Sequence, residues 1–266
     1  ILTHFHADFI AGHIELRDRI GSQIYLGAHA NAEFHFEPLD DDSVIELGSV
    51  QLKAIETPGH TPEGITLQAF DKTLDPKSPY AIFTGDTLFL GDVGRPDLLA
   101  SVGVTANELG EMLYDSLHNK ILKLPDETLV YPAHGAGSMC GKALSEEAVS
   151  TLGDQKLYNY ALQPMTREAF IEMVTADQPE APAYFGYNAS LNRQERLTLK
   201  ESMSKSMKAL DLNEVLTLQK SGAQIIDVRV MTEFSRAHIQ NAISIGLDGR
   251  FATWTGTVLD KNTSVI

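Results

Sequence analysis

The sequence predicts an α/β protein made of two successive domains. In the first 190 residues, short apolar segments typical of strands alternate with capped, helix-like segments and with loops that carry glycine and proline. Hydrophobic residues make up 43% of the 266 residues and charged residues 21%, as in folded proteins with a substantial core. A new pattern of helix, turn and strand begins near Ala209, after a polar stretch. We therefore expect domains at residues 1–190 and 209–266, with a linker at residues 191–208.

The first domain contains several candidate strands and helix starts. Val50–Ile55 alternates apolar residues with Gln51 and Lys53, apart from its last residue, as in a half-buried strand. The other candidate strands are Ile24–Leu26, Thr66–Phe70, Tyr80–Phe83 and Leu129–Tyr131. Helices are predicted after three polar residues that can cap a helix N-terminus, namely Thr105, Ser145 and Thr166.

The charge and the cysteine content restrict the function classes. With a formal net charge of -15, the surface repels nucleic acid and anionic membranes at long range. The single cysteine, Cys140, excludes an internal disulfide framework and favours a reducing compartment, so we expect a cytoplasmic protein. The first residues do not resemble a signal peptide, and no apolar run is long enough to span a membrane. Because Ile1 and Leu2 resemble the end of a buried strand, we expect the natural N-terminus to be missing.

Four segments share one design, in which an apolar strand is followed at once by a turn that carries histidine or aspartate. The candidate ligands in these turns are His4, His6, Asp8, His60, Asp86 and His134. If the strands lie in packed sheets, the turns can converge on one edge, where functional residues commonly lie. Imidazole and carboxylate donors suit zinc, iron or manganese, so we predict a metal site. The remaining histidines are expected to be structural or surface residues: His13, His29, His35, His118 and His238.

The sequence resembles the metallo-β-lactamase superfamily in four motifs, which are His4-x-His6-x-Asp8, Gly59-His60-Thr61, Gly85-Asp86 and Ala133-His134-Gly135. This superfamily includes glyoxalase II hydrolases and persulfide dioxygenases. The resemblance implies an αββα sandwich over residues 1–190, with the family's opening strands expected to precede the first motif and so to be absent. Dinuclear members continue the first motif with a further histidine, where this sequence has Phe9. Asp8 and His134 would then form an incomplete second site unless another residue, for instance His13, replaces the missing ligand, and a mononuclear site is favoured.

Further segments resemble persulfide dioxygenases in particular: Gly85–Phe89, Gly91–Leu98, Thr151–Lys156 with Asn159, and Pro182–Phe185. The resemblance implies one Fe(II) bound by His4, His60 and Asp86, a triad with open positions for O₂ and substrate. His6, Asp8 and His134 would orient ligands or water as supporting catalytic residues, although His6 could equally be a direct ligand. The implied reaction oxidises a low-molecular-weight persulfide, such as glutathione persulfide, to sulfite and the parent thiol.

Four residues are candidates for substrate binding. Arg95 could anchor the anionic substrate or form a structural ion pair. Tyr131 could place a phenol near the site or belong to the core. Cys140 could exchange with a persulfide or be a buried residue without a chemical role, and Lys142 could lower the pKa of that thiol or bind an anion.

The C-terminal part resembles the opening half of a rhodanese domain in Ile225–Arg229 and Glu233–Ile243. The helix Leu212–Leu218 and the strand Gln224–Val228 are predicted there. Rhodaneses transfer sulfur through a cysteine on a later loop, and Asn262–Ile266 resembles the strand that leads to it. We therefore expect an incomplete rhodanese-like domain that performs no sulfur transfer in this piece.

Two rival functions stay open from the sequence. One is a glyoxalase II-like thioester hydrolase that uses zinc, which iron content and O₂ uptake would distinguish from the dioxygenase. The other is a non-catalytic module that binds a persulfide. The acidic composition argues against the nucleases of the superfamily, which need a basic track. A homo-oligomer is compatible with the sequence, which does not fix the oligomeric state.

Overall fold

The computed structural model describes residues 1–98, 103–142 and 144–266. The chain divides into two compact units, one of residues 1–181 with 185–196 and one of residues 182–184 with 197–266. The first part of the predicted linker thus belongs to the first unit, and a helix at residues 199–206 occupies much of the remainder.

In the residues that the structure describes, the first unit has eight strands in two sheets. In chain order they are β1 (Tyr25–Gly27), β2 (Glu37–Leu39), β3 (Val44–Leu47), β4 (Val50–Glu56), β5 (Ile65–Asp71), β6 (Ala81–Gly85), β7 (Leu129–Pro132) and β8 (Ser150–Thr151). β1 and β2 form a parallel pair, and β3 to β8 form one sheet in sequence order. The five strands predicted from the sequence are confirmed, with ends shifted by one or two residues. The other three lack the predicted pattern, because β2 contains proline, β3 is largely exposed and β8 has only two residues.

All neighbours in the six-stranded sheet are antiparallel except β6 and β7, which are parallel. β4 is antiparallel to β5, and β5 is antiparallel to β6. As a result, β4, β6 and β7 run in the same direction and end at the same edge of the sheet. Because these three strands share a direction, the turns that follow them can meet at this edge.

Among the described residues of this unit, five α-helices accompany the strands: α1 (His13–Ile20), α2 (Ala106–Asp115), α3 (Leu152–Tyr158), α4 (Arg167–Thr175) and α5 (Phe185–Leu191). The predicted caps at Thr105 and Thr166 are confirmed, since each side chain accepts a hydrogen bond from a backbone N–H of the first turn. The helix predicted after Ser145 is wrong. Pairing of Ser150 with Val130 keeps that segment extended, and α3 begins only after Thr151, which caps it.

The main core of the first unit lies between the sheet and helices α2 and α4. Ile55, Ile82 and Val130 from the strands pack with Leu113 and Phe170 from the helices. Each of these side chains is at most 9% exposed, so their burial is a principal source of stability. The core fixes the strands whose ends carry the candidate ligands.

The second unit contains helices α6 (Leu199–Ser206), α7 (Leu212–Lys220), α8 (Met231–Arg236) and α9 (Phe251–Val258), with strands β9 (Ile226–Asp227) and β10 (Ile243–Ser244). The two strands pair in parallel. The predicted helix 212–218 and strand 224–228 are confirmed, the strand in a shorter form. Among the residues that the structure describes, no helix combines the length and the apolarity needed to cross a membrane.

Candidate metal centre

Four loops bring the predicted ligands to one edge of the six-stranded sheet. His60 follows β4, Asp86 follows β6 and His134 follows β7. The first loop, which carries His4, is joined to the same edge because the N–H of Ile65 at the start of β5 donates to the carbonyl of Thr3 (3.0 Å). The convergence predicted from the sequence is therefore confirmed.

His4, His60 and Asp86 form a buried triad. Their exposed fractions are 3%, 4% and 1%, and their ligand atoms all lie within 4.8 Å of one another. His4 Nε2 is 3.6 Å and His60 Nε2 is 3.4 Å from Asp86 Oδ2. Among the described residues, His4 Nε2 and both carboxylate oxygens of Asp86 have no hydrogen-bond partner. Buried polar atoms of this kind are costly unless something binds them, so the arrangement fits a metal ion.

The second ring nitrogen of each histidine is held by the protein. His60 Nδ1 lies 2.9 Å from the carbonyl oxygen of Arg95, and it must donate because a carbonyl only accepts. In a neutral ring, this leaves His60 Nε2 unprotonated, with its lone pair available to a metal, 3.4 Å from Asp86 Oδ2. His4 Nδ1 lies 3.1 Å from Thr3 Oγ1. Such contacts fix the ring orientation that metal ligands need.

Close packing of the loops leaves no room for a side chain at residue 94. A Cβ at Gly94 would lie 1.8 Å from the carbonyl oxygen of Asp86 and 3.0 Å from Cβ of His60. Gly94 therefore allows the 91–98 loop to lie directly against two candidate ligands.

His6, Asp8 and His134 lie next to the triad. His134 Nε2 is 3.4 Å from Asp86 Oδ2 and 3.5 Å from Asp8 Oδ2, and His6 Nδ1 is 4.0 Å from Asp8 Oδ1. His6, Asp86 and His134 also form a group whose ligand atoms lie within 4.8 Å of one another. His6 therefore lies close enough to Asp86 to serve as a direct ligand or as a supporting residue.

The electrostatics of the cluster favour neutral His4 and His6 beside an ionised Asp86. Burial lowers the pKa of His4 well below its usual value, and it lowers that of His6 as well. Burial alone would raise the pKa of Asp86, but its attraction to His4, together with His134 and His60, holds that pKa far below its usual range. Burial also opposes charge on His134, but the carboxylates of Asp86 and Asp8 raise its pKa overall. Neutral imidazole and ionised carboxylate are the forms that bind a cation.

Phe9 lies where the dinuclear members of the superfamily have a histidine. Its ring centroid is 4.5 Å from that of His6 and 6.4 Å from that of His134, and it provides no ligand atom. His13, the alternative ligand considered from the sequence, lies at the start of α1 and packs against Phe34, with ring centroids 4.7 Å apart. Among the described residues, His13 belongs to no group of converging metal donors.

Arg95 is 1% exposed, and its guanidinium is engaged by the protein. It forms two hydrogen bonds with the carboxylate of Asp97 (2.8 and 2.7 Å), and it donates to the carbonyls of Pro179 (2.6 Å) and Met139 (3.3 Å). These contacts favour the structural alternative for Arg95. Through its own carbonyl it also orients His60.

The other predicted substrate-binding residues have different surroundings. Tyr131 is partly buried on β7, where its ring lies 5.7 Å from that of Phe83. Lys142 Nζ donates to the backbone carbonyls of Met173 and Ala176. Cys140 is 1% exposed, and burial raises the pKa of its thiol. Cys140 belongs to a group of converging donors, which it forms with Asp8 and His134.

Two residues near the centre, Asn192 and Arg193, were not predicted from the sequence. The side chain of Asn192 is buried, donates to the carbonyls of His6 and Phe9 (both 2.8 Å) and accepts from the N–H of Ala11 (2.8 Å). It therefore holds the loop that carries the first motif. Arg193 lines a cavity beside His60. Both residues lie in a polar stretch that was predicted to be a linker. Their partners near the N-terminus are more than 180 residues away, and no local sequence pattern indicates such contacts.

The cavity beside His60 has mostly apolar walls, which include Phe5, Leu98, Phe185 and Ala189. Arg193 is the one charged side chain among its described lining residues other than His60. Its guanidinium lies over the ring of Phe5 at 5.3 Å, and its Nε is buried without a hydrogen-bond partner among the described residues. The cavity thus offers apolar contacts and one cationic group next to the triad.

Comparison with known proteins gives the family. The rhodanese-like domain family matches residues 211–266. The chain is 32% identical over 132 residues to the hydroxyacylglutathione hydrolase of Dictyostelium discoideum, covering 50% of this chain and 46% of that protein. It is 35% identical over 148 residues to the mitochondrial persulfide dioxygenase ETHE1 of Bos taurus, covering 54% and 52%. The chain spans about half the length of these curated relatives.

A solved structure extends the similarity to nearly the whole chain. The metallo-β-lactamase from Staphylococcus aureus subsp. aureus COL superposes with a TM-score of 0.82 at 27% identity, covering 99% of this chain and 74% of that one. The chain therefore belongs to the metallo-β-lactamase superfamily. Its second unit carries a rhodanese-like domain, as the sequence motifs predicted.

Proposed function

We propose that this protein is a non-haem Fe(II) persulfide dioxygenase that converts a low-molecular-weight persulfide and O₂ to sulfite and the parent thiol. The observation that carries the proposal is the buried triad of His4, His60 and Asp86, two imidazoles and one carboxylate. Among the described residues, His4 Nε2 and both Asp86 oxygens have no hydrogen-bond partner. This donor set is typical of mononuclear iron sites that bind O₂. The similarity to ETHE1 persulfide dioxygenase supports the same activity. A reducing cytosolic location belongs to the proposal, since Cys140 is the single cysteine of the chain.

His4, His60 and Asp86 would hold the iron, which would supply the chemistry for joint binding of O₂ and the terminal sulfur of the substrate. The carbonyl of Arg95 keeps His60 Nε2 directed at the centre. Asn192 holds the backbone on both sides of Asp8, so that His4 and His6 keep their positions. These contacts preorganise the site before substrate binds.

The cavity beside His60 is the proposed substrate site. Phe5 and Phe185 supply apolar walls that limit the access of water, and Arg193 supplies a cation for an anionic group such as a glutathione carboxylate. Arg193 takes this role in the proposal because the guanidinium of Arg95 is already bound by Asp97 and by backbone carbonyls.

A zinc-dependent thioester hydrolase is the second candidate function. It is favoured by the similarity to hydroxyacylglutathione hydrolase and by a further group of donors beside the triad. A hydrolase of this type activates water on zinc to attack a thioester.

Two assays on the same iron-loaded full chain separate these candidates. With glutathione persulfide in an oxygen electrode, we expect O₂ uptake that follows the bound iron and yields sulfite. With S-lactoylglutathione, we expect no rapid hydrolysis, and the zinc-loaded chain serves as the control. Rapid thioester hydrolysis without persulfide-dependent O₂ uptake would contradict the proposal.

A further inference from the structure

Glu63 is a buried carboxylate in the loop between β4 and β5, the same loop that carries His60. Its exposed fraction is 5%, and it does not belong to the proposed donor set. An ionised carboxylate is costly to bury unless the protein gives it hydrogen bonds or a charged partner. The contacts of Glu63 therefore indicate why a carboxylate is kept beside a ligand-bearing turn.

Glu63 forms a hydrogen bond with the backbone of the loop that carries the first motif. Its Oε1 accepts from the N–H of Phe5 (3.0 Å), a buried bond between residues 58 positions apart. Phe5 directly follows His4, is 3% exposed and belongs to no strand or helix. A buried N–H outside regular secondary structure needs a partner from elsewhere, and the carboxylate of Glu63 provides it.

The backbone is held on both sides of His4. The N–H of Ile65, two residues after Glu63, donates to the carbonyl of Thr3 (3.0 Å). Together with the bond from Phe5 to Glu63, this contact engages the peptide groups directly before and directly after His4. Because the direction of a side chain follows from its backbone, these two bonds orient the His4 ring.

The loop that contains Glu63 is closely packed. The N–H of Thr57 donates to the carbonyl of Gly64 (2.8 Å), which closes the loop. A Cβ at Gly27, the last residue of β1, would lie 2.3 Å from the carbonyl oxygen of Glu63, so the backbone of β1 lies directly against residue 63. Glu63 is therefore well anchored where it binds the other loop.

We propose that Glu63 is a positioning residue that sets the spacing of His4 and His60 in the metal centre. One hydrogen bond of Glu63 joins the loop that carries His60 to the loop that carries His4. The two Nε2 atoms lie 3.6 and 3.4 Å from Asp86 Oδ2, so a shift of either loop changes how the two nitrogens meet a cation. The length and the accepting oxygen of the Glu63 side chain perform this role, and its charge does not. The inference rests on the triad as a metal site, which is part of the proposed function, but it does not depend on the reaction.

Two variants separate the length of the Glu63 side chain from its charge. Glu63→Gln keeps the length and an accepting oxygen, whereas Glu63→Asp keeps the charge but is one methylene shorter. Each metal-free full chain is titrated with Co²⁺ without oxygen, and the dissociation constant and the visible absorption of bound cobalt are recorded. Glu63→Gln should bind within about threefold of the unsubstituted chain with the same absorption bands, because it gives up only the charge assistance of one hydrogen bond. Glu63→Asp should bind roughly 10–100-fold more weakly with shifted bands, as when a supporting partner of a metal ligand is lost.

Glu172→Asp, at an exposed position of α4, is the matched control and should change neither quantity. The Tm of each metal-free variant is measured by circular dichroism, because a merely structural role would lower Tm without shifting the absorption bands. Unchanged bands in folded Glu63→Asp would overturn the proposal. Weak binding by folded Glu63→Gln would also overturn it, since the charge would then be what matters, and this outcome decides even if Glu63→Asp fails to fold.

The same measurements distinguish this inference from the proposed function. If the unsubstituted chain binds no Co²⁺, the metal centre and the role of Glu63 are both wrong. If Glu63→Asp shifts the bands as expected while the iron-loaded chain shows no persulfide-dependent O₂ uptake, the dioxygenase is contradicted and the role of Glu63 stands.

Discussion

Asp86 is the residue on which the metal centre depends most. Its side chain is fully buried, and its Oδ2 lies 3.4–3.6 Å from the Nε2 atoms of His4, His60 and His134. The carboxylate therefore supplies the negative charge that balances a bound cation, while the histidines determine where the cation lies.

The roles of Asp86 and His134 can be separated by substitution. His134→Ala should keep iron in the triad but lower persulfide-dependent O₂ uptake by roughly 10–100-fold, as expected when a supporting partner of the ligands is lost. Asp86→Asn removes the anionic ligand and should lose both iron and most of the activity. Iron per chain is measured by elemental analysis beside the oxygen electrode. Loss of iron from His134→Ala would show that His134 is itself a ligand of the iron.

The two arginines near the centre should behave differently. Arg193→Ala should raise KM for glutathione persulfide about 10-fold or more with little change in kcat, because an ionic hydrogen bond to the substrate contributes about 1.5–3 kcal/mol. The iron content should be unchanged. Arg236→Ala, in the second unit, is the control. An unchanged KM for Arg193→Ala would exclude Arg193 as the anion anchor.

Arg95→Ala should instead lower the stability of the protein. It leaves Asp97 without its partner and removes hydrogen bonds to two backbone carbonyls. Removing one member of a fully buried ion pair costs about 3–5 kcal/mol. Because the Asp97 side chain is 29% exposed, solvent screening should make the loss smaller here. A raised KM at unchanged thermal stability would favour the original expectation that Arg95 contacts substrate.

At the scale of elements, strand direction determines where the ligand-bearing turns lie. β4, β6 and β7 end at one edge, and each is followed directly by a ligand-bearing turn. The 91–98 loop lies against this edge, and its Gly94 packs directly on the backbone of Asp86. The elements thus position the ligands through close backbone packing as well as through hydrogen bonds.

Gly94→Ala tests this packing. A Cβ at 1.8 Å from the Asp86 carbonyl must displace backbone, so we expect weaker metal binding and a lower Tm. Gly12→Ala is the matched control, because its Cβ would have no atom within 4 Å and its φ of -82° suits alanine. Tm is followed by circular dichroism and metal content by elemental analysis. Equal behaviour of the two variants would show that the loop adapts and that its close approach is not required.

At the scale of the whole molecule, the chain combines a candidate metal centre with a rhodanese-like unit. Residues 197–266 contain no cysteine, and the one cysteine of the chain lies in the first unit. In the second unit, Asp227 and Arg229 form an ion pair, and the ring of His238 stacks on Phe234 with centroids 3.9 Å apart. These contacts give Asp227, Arg229 and His238 partners within the second unit.

The sequence by itself predicted the donor set of the metal centre and the position of the rhodanese-like segment. Both predictions depend on local sequence patterns. For the metal centre, the pattern is an apolar strand followed at once by a turn with His or Asp, which indicates a ligand without knowledge of the strand's place in the sheet. The strand predictions succeeded for the same reason. The helix expected after Ser145 failed because pairing between β7 and β8 overrides a local capping signal.

Only the tertiary structure decided which side chains share an environment. Cys140 lies close to Asp8, although the two are more than 130 residues apart in the sequence. Asn192 donates a hydrogen bond to the carbonyl of His6, 186 residues away. The His13 ring packs against Phe34, away from the cluster. Likewise, the guanidinium of Arg95 is enclosed by Asp97 and Pro179, whereas Arg193 reaches the cavity beside His60. Side-chain direction and long-range contact follow from how sheets, helices and loops pack, and sequence spacing does not encode them.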